Sequence, residues 1–168
     1  MEQPKIINNR IFYDDRGSFS PLSLFELGKN WKQSNVSVNP NKFTLRGLHF
    51  QTGETSQSKL IKVINGKILD FVVDLRGNIK SYNNCQFFEM KSGDELIVPR
   101  GFAHGFITLE DNTIVQYLVD NDYSPSTEGS LLWSSFSEIK SEILKIDDTF
   151  DVSKVIISEK DLVENYKF

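Results

Sequence analysis

Cysteine is almost absent from this chain of 168 residues. Cys85 has no second cysteine to bond with, so an internal disulfide is excluded, and this suits a reducing compartment. A membrane-spanning helix needs an apolar run of about 18 residues, and no run approaches that length. The first residues, MEQPKIINNR, also lack the apolar core of a secretory signal. We therefore expect a cytoplasmic protein that does not bind membranes.

Positive charge is scarce relative to negative charge. The chain has 19 lysines and arginines against 23 aspartates and glutamates, which gives a formal net charge of −4. An acidic chain of this kind has no overall field that attracts nucleic acid or an anionic membrane surface. We expect neither partner, and an anionic ligand would need a local cluster of basic side chains.

Short β-type segments dominate what the chain does contain. Thirteen phenylalanines and many brief runs separated by turn signals are typical of an all-β sandwich or jelly roll. The length fits one domain over residues 1–168. Residues 134–168 differ, because they contain the helix-like run SEIKSEILKI with Ser137 as a possible cap. We predict a helical and irregular C-terminal segment there.

The clearest strand signal is residues 59–76, KLIKVINGKILDFVVDLR. Asn65-Gly66 between two β-rich runs predicts a two-residue hairpin that pairs them. After this turn, alternation places one set of apolar side chains on the same face: Leu69, Phe71, Val73 and Leu75. Asp70 then falls on the opposite face, where an acidic side chain in a strand needs an explanation.

Only two histidines occur, and each lies among glycine, arginine and aromatic residues. His49 is in LRGLHFQ, and His104 is in VPRGFAHGF. The spacing of Gly93, Pro99, Gly101 and His104 resembles the second sequence motif of cupins, which are small double-sheet jelly rolls. In physical terms, a turn, a strand and a Pro-x-Gly bend direct the second histidine into the barrel.

Three interpretations of the histidines stay open on the residues alone. Two imidazoles without a third nitrogen or carboxylate ligand fall short of a usual transition-metal set. Both rings are structural if local hydrogen bonds satisfy them. An imidazole that titrates near ~6.5 also suits acid–base chemistry, provided that a partner orients its other nitrogen. The surroundings of the two rings favour the acid–base interpretation.

Six motifs occur in an order and spacing that resembles the nucleotide-sugar 3,5-epimerases: LRGLHFQ, KLIKV, DFVVDLR, VPRGFAHGF, YSPSTEGSLLW and SEKD. The resemblance runs from about residue 11 to residue 161. It implies a cupin-type jelly roll with short peripheral helices and a homodimer that exchanges strands. It also implies an enzyme that epimerises C3 and/or C5 of a nucleotide-diphosphate 4-keto-6-deoxy sugar without a metal or organic cofactor.

The resemblance assigns a catalytic set of five residues. His49 matches the general base, and Tyr117 matches the acid on the opposite face of the sugar. Lys59 matches a lysine near the substrate carbonyl, where an ammonium group stabilises enolate charge. Asp161, in the short SEKD match, corresponds to the carboxylate that orients the base. Asp70 matches an inward acidic position that tunes the lysine or the base.

The resemblance also assigns ligand contacts. Arg16 and Arg46 match diphosphate-binding arginines, and a guanidinium group suits bidentate contact with phosphate oxygens. The other matched contacts are Gln33 and Asn35 on the nucleotide side, His104 near the sugar or phosphates, and Glu128 and Lys160 in the C-terminal part.

Two departures from the family pattern leave the nucleotide base open. Ser18 stands where an aromatic residue stacks on the base, and Pro21 stands where a glutamate contacts the nucleotide, which weakens the case for thymidine. A single-centre epimerase, a 3,4-ketoisomerase on the same fold, and a non-catalytic sugar-binding or metal-binding cupin remain alternatives. RGLHFQ lacks the histidine cluster of the ketoisomerases, and the joint presence of His49, Lys59 and Tyr117 speaks against a non-catalytic module.

Overall fold

The computed structural model describes residues 2–7, 11–21, 28–76 and 85–165. Within these ranges there is one α-helix, α1 (Ser137–Ile146). The strands are β1 (Lys5–Ile7), β2 (Phe12–Asp14), β3 (Gly17–Phe19), β4 (Gln33–Asn39), β5 (Leu45–Gln51), β6 (Lys59–Asn65), β7 (Lys67–Asp74), β8 (Cys85–Lys91), β9 (Glu95–Val98), β10 (Phe102–Thr108), β11 (Thr113–Val119) and β12 (Glu128–Ser130).

Ten of these strands form two five-stranded sheets. The first sheet has the order β1-β9-β6-β11-β4, and the second has the order β12-β5-β10-β7-β8. Every pairing within them is antiparallel. The remaining strands, β2 and β3, form a separate hairpin. Side chains from both sheets meet in one apolar cluster, as in a jelly roll, and the prediction of an all-β double sheet is confirmed.

The Asn65-Gly66 turn does not join a pair of hydrogen-bonded strands. It reverses the chain, but β6 belongs to the first sheet and β7 to the second, so the predicted hairpin pairing was wrong. Gly66 has φ of 85°, and a Cβ atom there would collide with Thr113. The turn signal therefore indicated the reversal correctly. β6 instead pairs with β9 and β11. This pairing keeps apolar side chains of β6 on the buried face of the first sheet.

The second sheet is covered on both faces. Ile68 and Val72 point toward the first sheet, while Phe71 lies in a separate cluster on the outer face. The predicted alternation along β7 is thereby confirmed, with Asp70 on the inward face and fully buried. Between the sheets lies a cavity that polar side chains and a few apolar ones line together.

Helix α1 covers the outer face of the second sheet, through Ile139 and Ile143. Each buried isoleucine contributes about 2 kcal/mol of transfer free energy. The predicted cap was wrong: Ser137 is the first helical residue, Phe136 occupies the cap position, and no side chain caps the helix. Burial rather than capping holds the helix. No helix in the described ranges has the length and apolar character to cross a membrane.

Candidate active site

The two histidines are direct neighbours across a pair of strands. His49 on β5 lies opposite His104 on β10 in the register of the second sheet. Glycines allow this close approach: a Cβ atom on Gly47 would collide with the backbone of His104, and one on Gly105 would collide with the carbonyl of Arg46. The Arg-Gly and His-Gly pairs in the two motifs thus have a steric reason, and residues 55 positions apart in sequence share one site.

A cavity of about 410 Å³ lies in front of the histidines, between the two sheets. Ten of the twelve predicted site residues line it: Gln33, Asn35, Arg46, His49, Lys59, His104, Tyr117, Glu128, Lys160 and Asp161. Apolar side chains of both sheets, among them Ile61 and Phe106, form part of its wall. The two predicted residues that do not line it are Arg16 and Asp70.

His49 and Asp161 form a hydrogen-bonded pair. Nε2 of His49 lies 2.7 Å from Oδ1 of Asp161, and the Gly47 N–H donates to Oδ2 over 3.2 Å. Burial opposes charge on Asp161, but the bond and charge of His49, together with the Gly47 N–H, outweigh it and lower the pKa of Asp161. A carboxylate can only accept, so Nε2 carries the proton. The His49 side chain is 27% exposed toward the cavity.

Lys59 reaches the same region from the first sheet. Its Nζ donates to the carbonyl oxygen of His49 over 3.1 Å. Burial lowers the pKa of Lys59 to about 8, although the charges of Asp70 and Glu128 oppose that shift. Since an ammonium group has three donors, the group keeps donors for a ligand in the cavity. A buried cation with spare donors is suited to stabilise a developing oxyanion.

His104 also has a carboxylate partner, which lies behind it. Nε2 of His104 is 2.7 Å from Oδ2 of Asp70, and Oδ1 of Asp70 has no hydrogen-bond partner within the described residues. Burial raises the pKa of Asp70 and lowers the pKa of His104, against the attraction between their charged forms. Asp70 therefore acts on the cavity only through its neighbours. Its predicted role in tuning the lysine or the base stays a prediction.

Tyr117 faces the histidine pair from the other side. It lies on β11 in the first sheet, opposite Asn35 on β4, whereas His49 belongs to the second sheet. The side chain is half-buried, and burial raises the pKa of its hydroxyl. A phenol with a raised pKa stays protonated at neutral pH and can donate. A basic and an acidic group therefore face one cavity from opposite sheets.

The mouth of the cavity is polar. Glu128 accepts a 2.7 Å hydrogen bond from the hydroxyl of Tyr123 and lies 3.9 Å from Nζ of Lys160. Arg46 Nε donates to Asn39 over 2.8 Å, which orients the guanidinium group. Sequence reasoning had missed Tyr123, together with Gln57 and Ser158 in the lining. Tyr123 is part of the quoted YSPSTEGSLLW motif, which was the available signal for it.

Arg16 lies away from the cavity. It sits in the turn between β2 and β3, its side chain is 89% exposed, and its guanidinium group pairs with Asp14. Ser18 follows in β3 and is exposed as well. Within one chain, Arg16 therefore contacts none of the other predicted site residues, and its diphosphate role stays a prediction.

Comparison with known proteins identifies the family of this chain. The family model for dTDP-4-dehydrorhamnose 3,5-epimerase matches residues 1–166. The chain belongs to the dTDP-4-dehydrorhamnose 3,5-epimerase family. The enzyme of that name from Escherichia coli is 35% identical over 169 residues, which covers 96% of this chain and 88% of the relative. The predicted family resemblance is confirmed.

Solved epimerases of this family have the same fold. The Bacillus anthracis enzyme, with TDP and PPi bound, superposes with a TM-score of 0.79 at 36% identity, over 96% of this chain and 92% of that one. The Legionella pneumophila enzyme, in complex with dTDP-4-keto-L-rhamnose, gives 0.77 at 28% identity, over 100% and 96%. The chain is therefore a sugar-nucleotide epimerase by family, as predicted.

The metal alternative has no ligand cluster among the residues that the structure describes. There, no group of three or more histidine, cysteine, aspartate or glutamate side chains is arranged to hold a metal ion. Each imidazole instead bonds a carboxylate, His49 to Asp161 and His104 to Asp70. That the epimerase reaction in this protein needs no metal or cofactor stays a prediction.

Proposed function

We propose that this protein inverts both C3 and C5 of a dTDP-linked 4-keto-6-deoxy sugar, with His49 as base and Tyr117 as acid. The relatives' names, and the dTDP-4-keto-L-rhamnose bound by the Legionella enzyme, support this substrate class. The observation that carries the proposal is the placement of the His49–Asp161 pair and Tyr117 on opposite walls of one cavity. Epimerisation requires proton removal on one face and delivery on the other.

The first step is removal of a proton next to the ketone. A 4-keto group makes the C3 and C5 hydrogens acidic, because the carbanion is stabilised as an enolate. The partly exposed His49 ring takes the proton, and Asp161 holds the ring and stabilises the imidazolium that forms. A general base of this kind contributes roughly 10²–10⁴-fold to the rate.

The enolate oxygen then needs a donor. Lys59 supplies it, since its ammonium group is buried beside the base and anchored by the carbonyl of His49. A charge fixed in a site of low dielectric stabilises an oxyanion more than the same charge in water. Tyr117 next delivers its proton to the opposite face, and the centre is inverted. The His49 imidazolium then loses its proton to solvent and the Tyr117 phenolate regains one, after which the second carbon is treated in the same way.

The nucleotide part is held without taking part in the chemistry. Arg46 and Lys160 provide positive charge at the cavity, which an acidic chain needs in order to hold a diphosphate. Gln33 and Asn35 lie at the end of the cavity formed by β4 and contact the nucleotide side in this proposal. We place the reaction in the cytoplasm, in line with the single cysteine.

We further propose that a homodimer is the active form. β4 is the last strand of the first sheet as described, and its outward side chains Val36 and Val38 are 63% and 58% exposed. The β2–β3 hairpin also exposes Phe12 and Phe19. An open edge with apolar flanks needs a cover. In this proposal a second copy of the chain, folded as one domain over residues 1–168, covers the open edge. The Arg16 of that second copy then reaches the diphosphate.

Solvent exchange tests the proposal. The protein is incubated with dTDP-4-keto-6-deoxyglucose in deuterated water, and deuterium at each ring carbon is followed by NMR. We expect deuterium at both C3 and C5 with inversion of both centres. Exchange at one centre alone would identify a single-centre epimerase, and migration of the carbonyl would identify a ketoisomerase. Binding without exchange would leave a non-catalytic module.

A further inference from the structure

Residues 156–165, the C-terminal strap, cross one side of the cavity and are pinned at both ends. At the first end, Ile156 N–H donates to the Phe43 carbonyl over 3.0 Å, and Leu45 N–H donates to the Ile156 carbonyl over 2.8 Å. At the other end, Asn165 and Ser130 exchange two backbone bonds of 3.0 and 2.8 Å. The strap is therefore fixed to the strands that frame the site.

Apolar burial holds the start of this strap, where Ile157 packs partly buried against the outer core cluster. Asp161 is its one buried side chain, with 4% exposure, while Leu162 and Val163 beside it are 55% and 61% exposed. A charged carboxylate gains nothing from the hydrophobic effect, so apolar burial does not fix the part of the strap that carries Asp161, Leu162 and Val163. The position of Asp161 must therefore depend on hydrogen bonds at the two ends of the strap and on its own bonds to His49 and Gly47.

Ser130 makes three hydrogen bonds to the C-terminal strap. Besides its two backbone bonds to Asn165, its hydroxyl donates to the Val163 carbonyl over 2.8 Å. The residue is buried, with 8% exposure. In the register of β12 and β5, Ser130 is the direct partner of His49. One residue thus contacts the strap on one side and the strand of the base on the other.

We propose that Ser130 is a positioning residue for the His49–Asp161 pair: through Val163 and Asn165 it sets the strap so that the Asp161 carboxylate meets Nε2 of His49. The inference rests on the proposed role of His49 as base. A displacement on the order of 1 Å at a catalytic group lowers a rate by as much as 10²-fold. A bond that removes such freedom therefore matters more for turnover than for stability.

The first test replaces the hydroxyl alone. In Ser130→Ala we expect kcat for exchange to fall about fivefold with KM unchanged, the factor that corresponds to one lost hydrogen bond. Ser130→Thr keeps the hydroxyl and should restore most of the rate. Asn165 is exposed, and its N–H donates to the Ser130 carbonyl over 3.0 Å. Asn165→Pro removes this N–H and should lower kcat by a similar factor, roughly fivefold.

A matched control separates positioning from stability. Thr113 is buried, its hydroxyl donates to a backbone carbonyl over 2.8 Å, and it does not line the cavity. Thr113→Val loses the same kind of bond and should leave kcat unchanged. In an Asp161→Asn background, Ser130→Ala should have no further effect, because the group that it positions is gone. An equal fall in both backgrounds would make Ser130 merely structural and overturn the proposal.

A readout without substrate keeps this test independent of the reaction. The proton in the 2.7 Å bond between His49 and Asp161 should give a downfield NMR signal, and with only two histidines in the chain its loss in His49→Asn assigns it. We expect the signal to broaden or shift in Ser130→Ala and not in Thr113→Val. An unchanged signal in both Ser130→Ala and Asn165→Pro would overturn the positioning role. Absence of exchange in the unaltered protein would instead overturn the proposed function.

Discussion

The two imidazole–carboxylate pairs of this protein have hydrogen bonds of the same length, but the pKa values of their carboxylates are shifted in opposite directions. His49–Asp161 and His104–Asp70 both measure 2.7 Å, and their histidines face each other on neighbouring strands. The pKa of Asp161 is lowered, whereas that of Asp70 is raised. Both carboxylates are buried, Asp161 at 4% and Asp70 at 0% exposure, but the histidine is 27% exposed in the first pair and 8% exposed in the second. Asp161 also accepts the Gly47 N–H, whereas Oδ1 of Asp70 has no partner within the described residues. The pair near solvent keeps its carboxylate charged, and the fully buried pair disfavours charge.

The comparison teaches that hydrogen-bond geometry alone does not assign a catalytic role. A base must reach substrate and must tolerate the charge that it acquires. Only the His49 pair meets both conditions, since its carboxylate is ionised and also bonded to the Gly47 N–H. The His104 pair is placed to shape the charge around Lys59 rather than to exchange protons with solvent.

The largest expected effect comes from removing the base. We expect His49→Asn to abolish deuterium exchange at both C3 and C5, a loss of about 10²–10⁴-fold, with the fold retained. His104→Asn should leave measurable exchange, because the base remains. The comparison between the two pairs would be broken if His49→Asn still exchanged at close to the normal rate, or if His104→Asn alone abolished exchange.

Tyr117→Phe probes the wall opposite the His49 pair. The change keeps the ring and removes the hydroxyl, so proton removal should continue while delivery to the new face fails. Deuterium should then enter with the original configuration, as read by NMR of the recovered sugar nucleotide. Normal inversion at both centres, with binding intact, would remove Tyr117 from the mechanism and leave the acid unidentified.

The two carboxylates should differ in their effect on the pH dependence of unfolding. Because the folded pKa of Asp161 is lowered, its contribution is present above the unfolded value of about 3.9 and is lost as pH falls through the folded pKa. Asp161→Asn should therefore reduce the acid-induced loss of stability in thermal unfolding. Asp70 has the opposite shift, so Asp70→Asn should not reduce it. Identical acid profiles for the two variants would contradict this.

A smaller effect concerns the alkaline side of the reaction. Lys59 loses its charge as pH rises through about 8, so kcat should fall there. The charge of Asp70 raises the pKa of Lys59, so Asp70→Asn should move the fall to lower pH. The measurement is kcat between pH 6 and pH 10, values that bracket this pKa. A fall at unchanged pH in Asp70→Asn would show that Asp70 does not act on Lys59.

The smallest expected effect is none at all. Exhaustive chelation should leave the exchange rate unchanged, because no group of three or more potential ligand side chains within the described residues is arranged to hold a metal ion. The rate is measured before and after dialysis against a chelator. Loss of activity, with recovery on addition of one divalent ion, would mean that the two histidine sites act as ligands and not as separate pairs.

Local patterns in the sequence were enough for several features. Alternation along β7 predicted that Asp70 lies on the face opposite Leu69 and Phe71, and the apolar spacing of residues 137–146 predicted α1. These features depend on neighbours within one strand or one helix, so periodicity alone specifies them. Ten of the twelve site residues inferred from the family resemblance line one cavity. Eight of them lie on strands, whereas Lys160 and Asp161 lie in the C-terminal strap.

Other features were decided only when the chain folded. Asn65-Gly66 marked a reversal, but the choice of partners for β6 and β7 required the packing of both sheets. The bond between His49 and Asp161 spans 112 positions. The pKa of Asp161 is lowered and that of Asp70 is raised, and both shifts depend on burial and on neighbours that are distant in sequence. No local pattern encodes burial or distant contacts, since both arise from the whole chain. The sequence by itself determined which groups are present, and tertiary structure decided which of them is charged, oriented and within reach of substrate.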